Sequence, residues 1–110
     1  ATDGTVRTGI YQQALAGRRL SCVVPDKEAQ EAIMKTIYDI KADGDLNKAK
    51  LVFSPVIRWC HSHEVEAIIA GCTELSLILT ADTYQGLKVI DPMKVMAQRL
   101  VDRVLGQQTM

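Results

Sequence analysis

The sequence predicts an α/β domain, an open and mostly parallel sheet flanked by helices. Three observations predict it. Short apolar runs at residues 20–24, 65–70 and 87–90 are bounded by Pro, Gly or charged residues, as strands are. Their apolar character is continuous rather than alternating, which suits strands buried on both faces. Helical stretches lie between them, and crossovers of that length join parallel strands with a right-handed connection.

Taken in order, Ala1-Thr2-Asp3-Gly4-Thr5 reads as the loop after a strand whose body is absent. The first strand is therefore expected to be truncated, and the chain to be the later part of a longer one. After the run at 20–24, Asp26 is an N-cap, and Ala29, Ile33, Ile37 and Ile40 recur at helical spacing. Gly44 stops that helix and Asp45 caps the next. Leu46, Ala49, Phe53, Val56 and Cys60 give the second helix its apolar stripe. Pro55 removes a donor from it, predicting an interruption and a kink near Leu51. Leu75, Ile78 and Leu79 make an apolar turn after the 65–70 run. Asp91-Pro92 starts the last helix, with Val95, Leu100, Val101, Val104 and Leu105 on one side up to Gly106.

Composition narrows the class of function. The 110 residues suit one domain or part of one, and 47% hydrophobic content is too high for disorder. Thirteen basic and thirteen acidic residues cancel, leaving no electrostatic footprint for nucleic acid or an anionic membrane. No apolar run approaches the ~20 residues of a membrane span. Cys22, Cys60 and Cys72 are an odd number without framework spacing, and no export signal opens the chain. Reduced thiols in a cytoplasm are expected.

The chemistry points to Ala70-Gly71-Cys72-Thr73-Glu74-Leu75, where a strand ends and a helical turn begins. Ligands of open α/β sheets sit beyond that end of the strands. Free N–H groups and a helix dipole there favour thiolate over thiol. Gly71 leaves room for a ligand, and the amide and hydroxyl of Thr73 suit a carboxylate. The plain alternative is a small buried cysteine at a tight turn, and local pattern does not separate the two.

Gly71-Cys72-Thr73-Glu74-Leu75 resembles the second cysteine motif of the aspartate/glutamate racemase superfamily. Ala1-Thr2-Asp3-Gly4-Thr5 followed by Gly9-Ile10-Tyr11-Gln12 is similar to the segment opening that family's second domain. Val24-Pro25-Asp26, Gly44-Asp45-Leu46 and Val89-Ile90-Asp91-Pro92 follow in matching order. The resemblance implies that residues 1–91 are the second of two pseudo-symmetric racemase domains. Residues 92–110 are then a terminal helix that packs on the missing first domain. Glu74 stands where cell-wall glutamate racemases carry His, and so points to the aspartate-type branch.

That resemblance implies racemisation of an amino acid by proton transfer at Cα between two opposed groups. Cys72 is one acid/base residue, and the other, a cysteine or threonine, belongs to the absent domain. Thr73, Glu74 and Thr5 are implied in binding the substrate. No pyridoxal phosphate and no metal are implied, and a homo-oligomer, a dimer, is expected. Some relatives carry a basic residue for the substrate's side-chain carboxylate. This chain has Ala32 there, with Lys27 and Lys35 as stand-ins, and it has Met96 where others have His. A carboxylate aimed at Cys72 would raise the thiol pKa, so Glu74 is expected to point elsewhere or to bond a donor. Its presence in a first helical turn is explained almost as well by the helix dipole.

Other functions share parts of this pattern. Hydantoin racemases, maleate isomerases and malonate decarboxylases share the cysteine geometry, while Glu74 and Val89-Ile90-Asp91-Pro92 favour the amino-acid branch. A non-catalytic α/β binding module is the reading outside enzymes, and Cys72 with Thr73 argues against it. Cys60-His61-Ser62-His63 invites a metal, but no second ligand cluster accompanies it. Trp59 reads as packing or interface and Tyr11 as core rather than as a cover for the cysteine loop. Arg18-Arg19 and Lys48 with Lys50 read as solvated surface.

Overall fold

Helix caps set the layout of the chain. In a computed structural model, which describes residues 1–18 and 20–108, Thr2 opens α1 (Asp3–Thr8) by accepting the Thr5 amide at 3.3 Å. Gly9 closes α1 at φ 69°, and α2 (Ile10–Ala16) follows at once. Residues 1–5, expected as a loop, are thus a capped helix start, because the Thr2 hydroxyl satisfies one of the orphan amides. Asp26 caps α3 (Lys27–Asp43) through the Ala29 amide at 2.8 Å, and Gly44 ends it at φ 68°. Asp45 caps α4 (Leu46–Ser62) through the Lys48 amide at 3.1 Å. α4 continues through Pro55, where an interruption was predicted. The Leu51 carbonyl, which proline leaves without an amide, instead accepts the Ser54 hydroxyl at 3.0 Å.

Three strands follow: β1 (Ala67–Ile69), β2 (Thr83–Tyr84) and β3 (Leu87–Ile90), and then α5 (Pro92–Gln108). Their order in the sheet is β1-β3-β2. β1 runs parallel to β3, pairing Ala67 with Lys88 and Ile69 with Ile90, whereas β2 is antiparallel to β3. The α/β class therefore holds, with helices flanking a small mixed sheet whose longer ladder, β1 with β3, is parallel. The antiparallel pair is a hairpin whose two loop residues, Gln85 and Gly86, have φ of 47° and 84°. Positive φ at both positions matches the twist of the flanking strands. His61 Nε2 donates to the Gln85 carbonyl at 2.8 Å, fixing the turn to the end of α4.

One expected strand is not formed. Residues 20–24 lie outside any strand, with Leu20 57% and Val23 54% exposed. Apolar, β-branched character favours an extended run, but a strand also needs a neighbour for its amides. Among the described residues no strand pairs with it.

α3 and α4 pack on each other and on one face of the sheet. Ile33, Ile37, Phe53, Val56, Ile57 and Cys60 meet Ala70, Leu75, Leu79 and Leu87, with Ile68 and Val89 against them from the sheet. The predicted stripe residues of both helices, from Ala29 to Cys60, are buried apart from half-buried Leu46. The other face is open: Ile90 is 38% exposed, so the strands are not buried on both sides as predicted. Ile69 and Ile90 line a crevice of about 470 Å³ with Tyr11, Pro92, Val95 and Met96. α5 runs on through Gly106 and does not close over that face. Val95, Leu100, Val101, Val104 and Leu105 are each 46% to 59% exposed. Among the described residues no helix is long and apolar enough to cross a membrane.

Asp91 joins the last strand to α5. It is 8% exposed, and its Oδ1 accepts the Met93 amide at 3.0 Å. The Ser76 side chain, with the Met93 and Lys94 amides, holds its carboxyl below the ordinary aspartate range. A lowered folded-state pKa contributes stability above the unfolded value that is lost as pH falls through the folded value, here below about pH 4. Asp91→Ala is expected to lower urea stability at neutral pH by about 1 kcal/mol, the usual weight of a cap. The gap between variant and parent should shrink as the pH is lowered below that range.

Candidate active site

The loop after β1 is pinned at both ends. On one side the Ala70 amide bonds the Ile90 carbonyl at 2.8 Å, and Ala70 is buried. On the other, Leu75 and Leu79 are 2% and 1% exposed in the core, joined by a single 3₁₀ turn, Leu75–Leu77. Cys72, Thr73 and Glu74 bridge these anchors at the carboxyl end of the strand. Gly71 makes room for Tyr11 of α2 and for Ala1: a Cβ there would lie a tight 3.1 Å from Tyr11 Cε2 and 3.3 Å from Ala1 Cβ. Half-buried Tyr11 therefore covers this loop, the reading that pattern alone ranked second.

Cys72 is half-buried, and its thiol donates to Glu74 Oε2 at 2.8 Å. The same oxygen accepts the Thr73 hydroxyl at 3.1 Å, and Glu74 Oε1 lies 3.7 Å from Lys41 Nζ. Burial pushes the Cys72 thiol up, and the Glu74 carboxylate pushes it further. The Glu74 and Leu75 amides pull the other way and do not prevail. The predicted tilt toward thiolate is thus reversed. A single 3₁₀ turn supplies little dipole, and a carboxylate sits on the sulfur where a donor was expected. Glu74 bonds donors as anticipated, but the first of them is Cys72 itself. In return the thiol, the backbone, the Thr73 hydroxyl and Lys41 hold the Glu74 carboxyl below its ordinary range. The resting pair is thiol plus carboxylate.

Residues 1–100 match the sequence family described as Asp/Glu/hydantoin racemase. The chain belongs to this family. A second comparison finds an uncharacterized protein in the pnlA 3′ region of Pectobacterium carotovorum subsp. carotovorum, 43% identical over 79 residues. That alignment covers 72% of this racemase-family chain and 52% of the relative. The chain thus spans about half the length of the relative it matches.

The other residues singled out by sequence fall in different places. Thr73 is exposed, and its hydroxyl is engaged by Glu74. Thr5 lies inside α1, with its amide and hydroxyl both on the Thr2 hydroxyl, the latter at 3.0 Å. Lys35 pairs with Asp39 at 2.8 Å, Lys27 is exposed on the first turn of α3, and Ala32 packs against the core. Met96 is exposed on α5. Cys22 is exposed and Cys60 is buried in the core. His63 stacks on Trp59 at 4.3 Å, so the Cys60 to His63 run is taken up by packing and by the turn contact of His61. Among the described residues no group of three or more His, Cys, Asp or Glu is arranged so that it could hold a metal ion. Arg18, Lys48 and Lys50 are exposed; Arg19 lies outside the described residues.

Two contributors escaped the sequence reading of this racemase-family chain. Lys41 carried no local signal, because its contact with Glu74 crosses from the end of α3. Gln30 donates to the Ala1 carbonyl and to Asp3 Oδ1, both at 2.9 Å, tying the segment that meets Gly71 to α3. Glu74→Gln keeps the shape and removes the charge beside the sulfur. Alkylation of Cys72, followed peptide by peptide so that exposed Cys22 does not interfere, should then proceed with a midpoint at lower pH. An unmoved midpoint would show that the carboxylate does not act on the thiol.

Proposed function

We propose that this chain is the second half of a cofactor-independent amino-acid racemase of the aspartate/glutamate type, with Cys72 as one of two acid/base groups. The observation that carries the reading is the thiol with a carboxylate 2.8 Å away, in the loop at the carboxyl end of β1 in a racemase-family chain. The opposed group, a cysteine or threonine from the remainder of the longer protein, takes the proton from Cα in its deprotonated form. The Cα–H bond breaks as the proton bonds to that group. The Cys72 S–H bond then breaks as its proton is delivered to the other face of Cα, leaving Cys72 as thiolate. The opposite enantiomer runs the same steps in reverse. The sulfur handles the proton directly, without pyridoxal phosphate.

The raised thiol pKa has a use in this scheme. An α-proton is a weak acid, and a thiolate destabilised by a neighbouring carboxylate is a stronger base toward it. The cost is that little thiolate exists at rest, which suits Cys72 to the acid role in the free enzyme. Amide groups of the loop at Cys72 and Thr73 would stabilise charge growing on the substrate carboxylate. A reducing cytoplasm would keep the sulfurs as thiols.

The remaining half of the site is assigned to the first racemase domain, with residues 92–110 packing on it. The exposed apolar edge of α5 supports that docking. The same edge supports self-association of this chain, as a dimer, when nothing else covers it. On this reading the 110 residues alone racemise negligibly. In the longer protein, Cys72→Ala should lower racemisation of both enantiomers by at least about a hundredfold, the usual contribution of a positioned acid or base. Loss of optical activity across a panel of amino acids and hydantoins provides the readout. Normal rates in the variant on every substrate would remove Cys72 from the mechanism.

A further inference from the structure

We propose that Lys41 is a positioning residue for the Cys72–Glu74 pair: its ammonium holds one oxygen of the Glu74 carboxylate so that the other stays on the thiol. Lys41 sits in the last turn of α3, and its Nζ is 3.7 Å from Glu74 Oε1. Oε2 of the same carboxylate carries both the Cys72 and the Thr73 contacts. The two oxygens therefore have separate duties, one toward an element distant in sequence and one toward the loop. Thr73 is a neighbour in the same loop and moves with Glu74, so it cannot fix the carboxylate relative to the fold. α3 can, because Ile33, Ile37 and Ile40 bury its other face.

Among the described residues, Lys41 faces Glu74 from α3, the Cys72 thiol and the Thr73 hydroxyl face it from its own loop, and the amino group of Ala1 faces Cys72. Lys41 also stands where a cation favours the helix C-terminus. That merely structural role predicts a small loss of stability and no change at the sulfur, so the two are separable.

The inference rests on the racemase reading for its catalytic consequence only, because alkylation requires no turnover. The test compares Lys41→Met, Lys41→Arg, Glu74→Gln and the Lys41→Met/Glu74→Gln pair in this chain. Iodoacetamide alkylation of Cys72 is followed against pH, and circular dichroism checks folding. Released from Lys41, the carboxylate spends less time on the thiol. Lys41→Met should therefore move the alkylation midpoint to lower pH. The rate below the midpoint should rise by about two- to fivefold, the range of a partly exposed ion pair. Lys41→Arg should restore the parent profile. In the Glu74→Gln background, Lys41→Met should change nothing further. An unchanged midpoint, a shift to higher pH from simple loss of a cation, or an equal shift without Glu74 would each overturn the proposal. If the profiles behave as expected while the longer protein proves not to be a racemase, the positioning role stands and the functional reading falls.

Discussion

The contact on which the site depends is a thiol donating to a carboxylate two residues along the same loop. Neither partner could keep that geometry unaided. Cys72 is fixed because Ala70 completes the sheet ladder on one side and Leu75 and Leu79 are sunk in the core on the other. Glu74 meets the sulfur with one oxygen and Lys41 of α3 with the other. The core formed by α3, α4 and the inner face of the sheet thus sets where the loop sits, and the loop sets the protonation state of its sulfur. Burial and the carboxylate together outweigh the two amides that favour thiolate. The proposed chemistry would follow from that balance: a proton donor at rest, and a stronger base once ionised.

The architecture leaves the other face of the sheet open. The face of the sheet opposite the α3–α4 layer carries Ile69 and Ile90, and α5 shows an apolar edge from Val95 to Leu105. This apolar surface is what the proposed first domain would cover. The length relation to the Pectobacterium relative agrees in kind, since the chain spans about half of it. A one-sided proton donor cannot racemise alone. The proposed mechanism therefore needs the other wall as much as it needs Cys72.

Local signals made much of this legible from sequence. Asp26, Gly44 and Asp45 mark helix ends through hydrogen bonds made within a few residues, and the apolar stripes of α3 and α4 need only helical spacing. The Gly71 to Leu75 motif was legible for the same reason. What failed was non-local. Residues 20–24 have strand character but no partner strand among the described residues, and β2 is two residues long, followed by a Gln-Gly turn that carries a weak signal. Continuous apolar strands implied two covered faces, yet cover depends on what packs there. The protonation of Cys72 was misjudged because it turned on the length of one turn and the direction of one side chain. Lys41, the residue that fixes that direction, comes from another element.

The most direct measurement of the central claim is a pH titration of the Cys72 Cβ resonance by NMR in this chain with ¹³C-labelled cysteine. Carbon shifts distinguish thiol from thiolate without chemical modification of the sulfur. The thiol signal is expected at neutral pH, with ionisation only above the ordinary cysteine range. A Cys72 already ionised at neutral pH would contradict that claim, because the carboxylate would then not be governing the sulfur.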